Sequence, residues 1–447
     1  GALEFGKTLI NGKATKDLLR ESDIDKHFQE LLNDQRDIMD ETKIDTFIKF
    51  LPGRETKFLG TQFQQLGKIV THRSSDQSKS QLFYDAVEET QASLKVFGLS
   101  VVTKSSDGEK LYLPTDKVEL IVEPAKDVSD IQVTDHMNAS YELSFVPRVP
   151  GRYQVQVKLN NHDIVGSPVE MNVTERKITR LCTYTLPGGG EMEPCGVAVS
   201  KEGEIAVSDW RDQCIVIFDK TGKFLRKLLQ SGSNKEELTL PVGVAFNSRD
   251  ELVVADSSNH RIQILDKRSG RKIRTFGCRG SLTGQFNHPW GVYVDERDRV
   301  IVSDRDNNRI QVFDEDGNFL FQFGNKTENL DRPEHCVSYQ DSFFVSDRGN
   351  HVIKVYDSDG QFLYKFGEYG EENGQFIYPH GLVVDGRGNL FVCDSGNNRV
   401  QMFTVDGRFI GKTTCELKSP WFAALLDDDK LVVSELEGDR LSVFKLS

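Results

Sequence analysis

The 447-residue chain has no apolar run approaching the length of a membrane span, so no membrane association is expected. Its first residues, GALEFGKTLI, lack the layout of a secretory signal. Cysteine is sparse. The seven, at positions 182, 195, 214, 278, 336, 393 and 415, are odd in number and never spaced as CxxC. That argues against a disulfide framework or a zinc cluster and for a reducing, cytoplasmic setting with most thiols buried as small hydrophobes. An excess of basic charge is also missing. The net charge is −13, which argues against a surface that coats nucleic acid and leaves room only for a local basic patch. There is no GxSxG elbow, P-loop or HExxH, so neither a catalytic residue nor a metal site nor a cofactor is expected. The acidic run Asp427-Asp428-Asp429 reads as a solvated turn.

What the sequence does have is repetition. DSSNHRIQIL at 256–265 returns as DRDNNRIQVF at 304–313 and as DSGNNRVQMF at 394–403. Each copy belongs to a longer unit: Pro-x-Gly, an apolar strand, a turn, a strand ending in an acid, a short loop, and two more strands. Six units are marked by Pro194, Pro241, Pro289, Pro333, Pro379 and Pro420, and by the acids Asp209, Asp256, Asp304, Asp347, Asp394 and Glu435. Several short strands in a period of roughly 40–50 residues indicate propeller blades. Near-continuous apolar runs such as VIVSD suit strands buried on both faces. The segment after Ile178 is expected to provide the outer strand of the sixth blade and so to close the ring.

The unit GQFNHPWGVYVDERDRVIVSDRDNNRIQVFDEDGNFLFQFG resembles an NHL repeat, and the six copies span 178–447. Upstream, SYELSFVPRVPGRYQVQV followed by GSPVEMNV alternates apolar and polar residues with turns at Pro and Gly, the pattern of a small antiparallel sandwich. It resembles a filamin-type immunoglobulin-like repeat, although Val169 stands where family copies often carry Phe. In residues 1–50, Leu18, Leu19, Ile24, Phe28, Leu31 and Leu32 recur at helical spacing until Pro52-Gly53, and this stretch resembles the end of a tripartite-motif coiled coil. The fold class is therefore mainly β, a six-bladed NHL β-propeller with a filamin-like β-sandwich, preceded by a short helical coiled-coil segment. The expected divisions are 1–77 for the helical segment and linker, 78–175 for the sandwich and 176–447 for the propeller.

That order of parts resembles the C-terminal part of a TRIM-NHL protein. The family places RING and B-box zinc modules upstream, and the seven cysteines here could not build them. The resemblance thus implies the recognition region of a RING-type E3 ubiquitin ligase, non-catalytic by itself and paired into a homodimer through the coiled coil. It implies a protein substrate or an RNA as partner on the propeller. Two other readings stand beside it: an mRNA-binding post-transcriptional repressor, and a zinc-dependent lyase acting on peptidyl-hydroxyglycine. The lyase needs about three histidines on one metal.

Comparing the blades separates scaffold from site. The recurring acid reads as a loop brace, and Arg261, Arg309 and Arg399 as its partners. Variable residues follow the acid and the proline, and both positions should share one face, the top. They include Trp210, Arg211, Arg305 and Arg348 after the acid, and Trp290, His380 and Trp421 after the proline. His260, His335 and His351 lie in or beside the same loops. These ten residues are the candidate partner- or RNA-binding surface, because aromatic faces and arginines stack on bases and also anchor protein interfaces. The basic run 266–280, DKRSGRKIRTFGCRG, reads instead as a charged outer edge that discourages strand pairing.

Overall fold

The computed structural model describes residues 75–84, 90–93, 96–228, 232, 237–324, 329–427 and 429–446. The coiled-coil expectation for residues 1–77 lies almost wholly outside them. Among the described residues the architecture is β throughout, with helix confined to single 3₁₀ turns.

The sandwich comes first. One sheet orders Gln81–Tyr84, Val96–Val102, Ser140–Pro147 and Val128–Asp135. The other joins Val118–Glu123, Gly151–Leu159, His162–Asp163 and Val169–Val173. Alternate residues point inward, so Leu99, Val101, Leu143, Phe145, Val155 and Val157 form the core. The Tyr153 hydroxyl donates to the Val149 carbonyl at 2.7 Å, which lets a buried ring keep its polar tip satisfied. Val169 packs against the edge of this core.

Six four-stranded units follow, and in the first five the strands run from inside to outside in sequence order. Blade one is Pro194–Val199, Ile205–Asp209, Cys214–Phe218 and Phe224–Leu228; blade three is Pro289–Val294, Val300–Asp304, Arg309–Phe313 and Phe319–Phe323. Successive residues alternate between two cores, one shared with each neighbouring blade. In blade two, Leu252 and Val254 face blade one, while Val253 and Ala255 face blade three. Both faces are buried, and this is why the strands read as unbroken apolar runs.

The strand Arg176–Tyr184 closes the ring. Its second half pairs antiparallel with Arg440–Lys445 and so becomes the outer strand of blade six. Its first half runs parallel to Phe409–Thr413, the outer strand of blade five. It therefore ties the last two blades into one eight-stranded sheet. The sandwich that precedes it contacts blade five through an Arg408–Asp127 ion pair, and Asn373 Nδ2 donates to Glu175 Oε1 at 2.6 Å.

Glycine has one demanding task here. A Cβ on Gly243 would lie 2.5 Å from the Val292 nitrogen and 2.6 Å from the Trp290 oxygen, so the glycine of Pro-x-Gly lets neighbouring inner strands approach around the axis. Blades four and six carry His335 and Phe422 at that position. Their rings meet at 5.0 Å and fill the middle of the channel.

The basic run at 266–280 is more than a charged edge. Lys267 is buried, with its ammonium among Glu202, Glu204 and Asp250.

Candidate functional site

The repeated acid organises each loop. In blade three, Asp304 accepts from the Asn287 N–H at 2.7 Å, Asn307 Nδ2 at 2.9 Å, Arg309 Nε at 2.8 Å and Gln311 Nε2 at 3.0 Å. Asp256 and Asp394 repeat the set with Asn259, Arg261 and Gln263, and with Asn397, Arg399 and Gln401. The motif D-x-x-N-x-R-x-Q is thus one buried network spelled out in sequence. Blade one lacks the Asn, Arg and Gln, and Asp209 Oδ2 is buried without a hydrogen-bond partner. Each acid lies directly opposite the blade's proline in strand register, so both loops share one end of the propeller.

Two of the candidate histidines take part in this scaffold. His260 and His351 occupy the left-handed position held by Asn308 and Asn398 in other blades. His260 Nδ1 accepts from the His288 N–H and His351 Nδ1 from the Tyr378 N–H, each at 3.1 Å. Asn308 and Asn398 accept in the same way from Arg332 and Ser419 of the next blade. His335 lies deeper. It is buried, its Nδ1 accepts from the Leu382 N–H at 3.1 Å, and burial pulls its pKa down to about 4.

The other candidates converge. The indoles of Trp210 and Trp421 meet edge to face at 4.6 Å, those of Trp210 and Trp290 at 5.8 Å, and Trp290 lies 6.2 Å from Trp421. Blades three and six face each other across the ring, so the last contact places the tryptophans over the axis, at neither the rim nor a blade–blade wedge. His380 stacks on Trp421 at 4.7 Å. The Arg305 guanidinium lies over Trp290 at 4.1 Å, a cation–π contact. Arg211 points outward to Glu191.

At the centre stands Glu334, a residue that the comparison of blades passed over although it occupies the same variable position after proline. It is fully buried. Arg305 Nε donates to its Oε1 at 3.2 Å, Arg348 Nε lies 3.4 Å from the same oxygen, and His380 Nδ1 lies 3.5 Å from Oε2. Burial lifts the Glu334 carboxyl to about 7 against the pull of both arginines. Burial first, and then Arg348 and Arg305, hold His380 far below the ordinary imidazole range. Beside this pit, Arg348 lies 4.4 Å over Tyr378, and His351 packs edge-on to Tyr369 at 4.9 Å. Tyr369 is 67% exposed and Tyr378 43%. Neither tyrosine was singled out, since the loop GEYGEENGQFIYP shows no motif beyond its glycines.

The four histidines do not meet at one point, and among the described residues no group of three or more His, Cys, Asp or Glu could hold a metal ion. No helix there is long and apolar enough to cross a membrane. At the opposite end of the channel a cavity of about 600 Å³ is walled by Val199, Phe246, Val294, Tyr339 and Val384.

Comparisons with known proteins agree with this architecture. Residues 74–170 match the Filamin/ABP280 repeat, and residues 238–265, 286–313 and 376–403 match the NHL repeat. The E3 ubiquitin-protein ligase TRIM71 of Xenopus tropicalis is 33% identical over 142 residues, which is 30% of this protein and 17% of that one. Protein brain tumor of Drosophila melanogaster is 34% identical over 115 residues, 25% of this protein and 11% of that one. Protein lin-41 of Caenorhabditis elegans is 33% identical over 126 residues, 26% and 11% respectively. The match thus spans only 11–17% of the length of these relatives. The protein thus carries a filamin repeat followed by NHL repeats and is similar to TRIM-NHL proteins such as TRIM71.

Proposed function

We propose that this protein is the target-recognition region of a RING-type E3 ubiquitin ligase, non-catalytic by itself, and that the top face of the propeller binds a protein partner. One observation carries the reading. Arginine, tryptophan, tyrosine and histidine from blades one, three, four, five and six are gathered on a single end of the ring, where Arg305 and Arg348 are already ordered over Trp290 and Tyr378. Such residues, rigid before the partner arrives, dominate protein interfaces because little side-chain entropy is lost on binding. The name of the TRIM71 relatives supports the ligase assignment. On this reading residues 1–77 join two copies, so that two propellers act together and gain from effective concentration. The setting is cytoplasmic.

RNA is the second reading. The observation that favours it is the open platform of Tyr369, Tyr378 and His351 beside Arg348, because exposed rings with an adjacent guanidinium stack on unpaired bases.

A photo-reactive residue at position 369, compared with one at Leu363 on the outer edge, tests the surface. Protein adducts formed at 369 and lost with Arg348→Ala are expected. Adducts that are equal at both positions would remove the top-face reading. A random RNA pool offered at two salt concentrations decides the second reading: enriched sequences whose affinity falls steeply with salt would favour RNA.

A further inference from the structure

The pit over the axis has more hydrogen-bond donors than acceptors. The indole N–H groups of Trp210 and Trp290 are buried and have no hydrogen-bond partner. Trp290 is only 6% exposed. Glu334 Oε2 and His380 Nδ1 lie 3.5 Å apart without a hydrogen bond between them, and Arg348 Nε also lacks a hydrogen-bond partner. Two indoles and a guanidinium N–H thus face at most two acceptors. Two guanidinium groups stand over the pit: Arg305 and Arg348 share the Glu334 carboxylate, and Arg305 also lies 3.7 Å from Asp306 Oδ1.

We propose that this pit captures a single carboxylate presented by the protein partner, from either an Asp or Glu residue or the partner's own C-terminus. The proposal rests on the top face being the recognition surface and names the chemistry read there. A carboxylate offers two acceptor oxygens to the two indole donors, beside the guanidinium groups of Arg305 and Arg348. The walls are aromatic and little wetted, so a charge-assisted bond formed there is stronger than one on open surface. A nucleic-acid backbone fits less well. The loops around the pit carry Glu191, Asp306, Asp331, Glu437 and Asp439, which repel an extended polyanion while leaving room for one inserted carboxylate.

The protein reports on this site by itself, because its three tryptophans are all in the pit. The probes are four: an acetyl-tetrapeptide amide with one glutamate among three alanines, acetyl-tetraalanine with a free C-terminus, acetyl-tetraglutamine amide, and oligouridylate. A saturable change in tryptophan emission is expected with the first, the second, or both, and the pair distinguishes a glutamate carboxylate from a terminal one. No change is expected with tetraglutamine. Trp290→Phe keeps the ring and removes the N–H, and Arg305→Gln removes the charge. Each should weaken binding roughly tenfold, while Leu225→Ala on the outer edge should not. An unchanged melting temperature shows that each variant is folded. Silence with both carboxylate probes, undiminished binding by Trp290→Phe, or a response to oligouridylate alone would overturn the proposal. Adducts at position 369 that persist in Trp290→Phe would then leave the surface reading standing, whereas adducts equal at 369 and 363 in the parent would remove that reading itself.

Discussion

Arg180 Nη2 lies 3.2 Å from Glu435 Oε1, although the two residues are 255 positions apart. Glu435 replaces the aspartate of the other blades, and its carboxylate also holds Arg440 at 3.0 Å and the Lys418 N–H at 2.7 Å. Arg180 comes from the closing strand. Arg180→Ala should lower unfolding free energy by about 1–2 kcal/mol, because a buried carboxylate loses one of its two cations. Arg268→Ala, at an exposed pair 3.7 Å from Glu202, should change it by less than about 0.5 kcal/mol. Urea titration of both variants measures the contrast.

The loop networks predict a graded series. Asp304→Ala strands Arg309, Asn307, Gln311 and a backbone N–H at once and should cost about 3 kcal/mol or more. Asp209→Ala removes an acid that accepts from backbone N–H groups, among them those of Glu193 and Arg211, and braces no Asn, Arg or Gln side chain of its own loop, so it should cost about 1–2 kcal/mol. Equal losses in thermal unfolding would show that the recurring lettering of the loop is not what holds it.

Around the axis, Gly243→Ala should destabilise by about 2–4 kcal/mol, since the new methyl meets backbone atoms that cannot turn aside. At Gly386 a Cβ would meet nothing within 4 Å, so Gly386→Ala should be neutral within about 0.5 kcal/mol. Denaturation midpoints of the two variants give the comparison.

Glu334 sets a pH dependence. Its carboxyl titrates near 7 when folded and, by the ordinary glutamate value, at about 4.3 when unfolded, so folding takes up a proton between those values. Its contribution to stability is full below about 4.3 and declines as pH rises through about 7. The buried His335 works the other way, because its pKa is lowered to about 4 and folding releases its proton. Glu334→Gln isolates the first effect. Between about pH 5 and pH 8 the variant should gain on the parent by something on the order of 2–3 kcal/mol. A constant difference across that range would mean that Glu334 stays ionised in the folded protein.

The architecture was legible because one physical requirement recurs six times. Each blade needs a brace between its loops and two buried faces, and both leave marks at fixed positions: the acid, joined by its Asn, Arg and Gln in blades two, three and five, and the continuous apolar strands. Even ring closure by the segment after Ile178 could be read, since an even count of strands required one more. The site was less legible. The variable positions pointed to Trp210, Trp290, Trp421, Arg305, Arg348 and His380, but the meeting of opposite blades over one axis is a property of the closed ring and of no single blade. Glu334 was therefore left out of the candidate surface, although it follows a blade proline as Trp290 and His380 do. His260 and His351 looked like recognition residues because nothing in one sequence says that histidine can replace asparagine as an acceptor in the left-handed position.

The closing strand also has a mechanical meaning. The residues that leave the sandwich at Thr174 become the clasp of the ring two positions later, without a spacer. A pull that separates the filamin repeat from the propeller therefore loads the seam between blades five and six before any other. The ring would open at its own latch and expose the edges of Arg440–Lys445 and Phe409–Thr413, so the two domains cannot be drawn apart as beads on a string while the propeller stays intact.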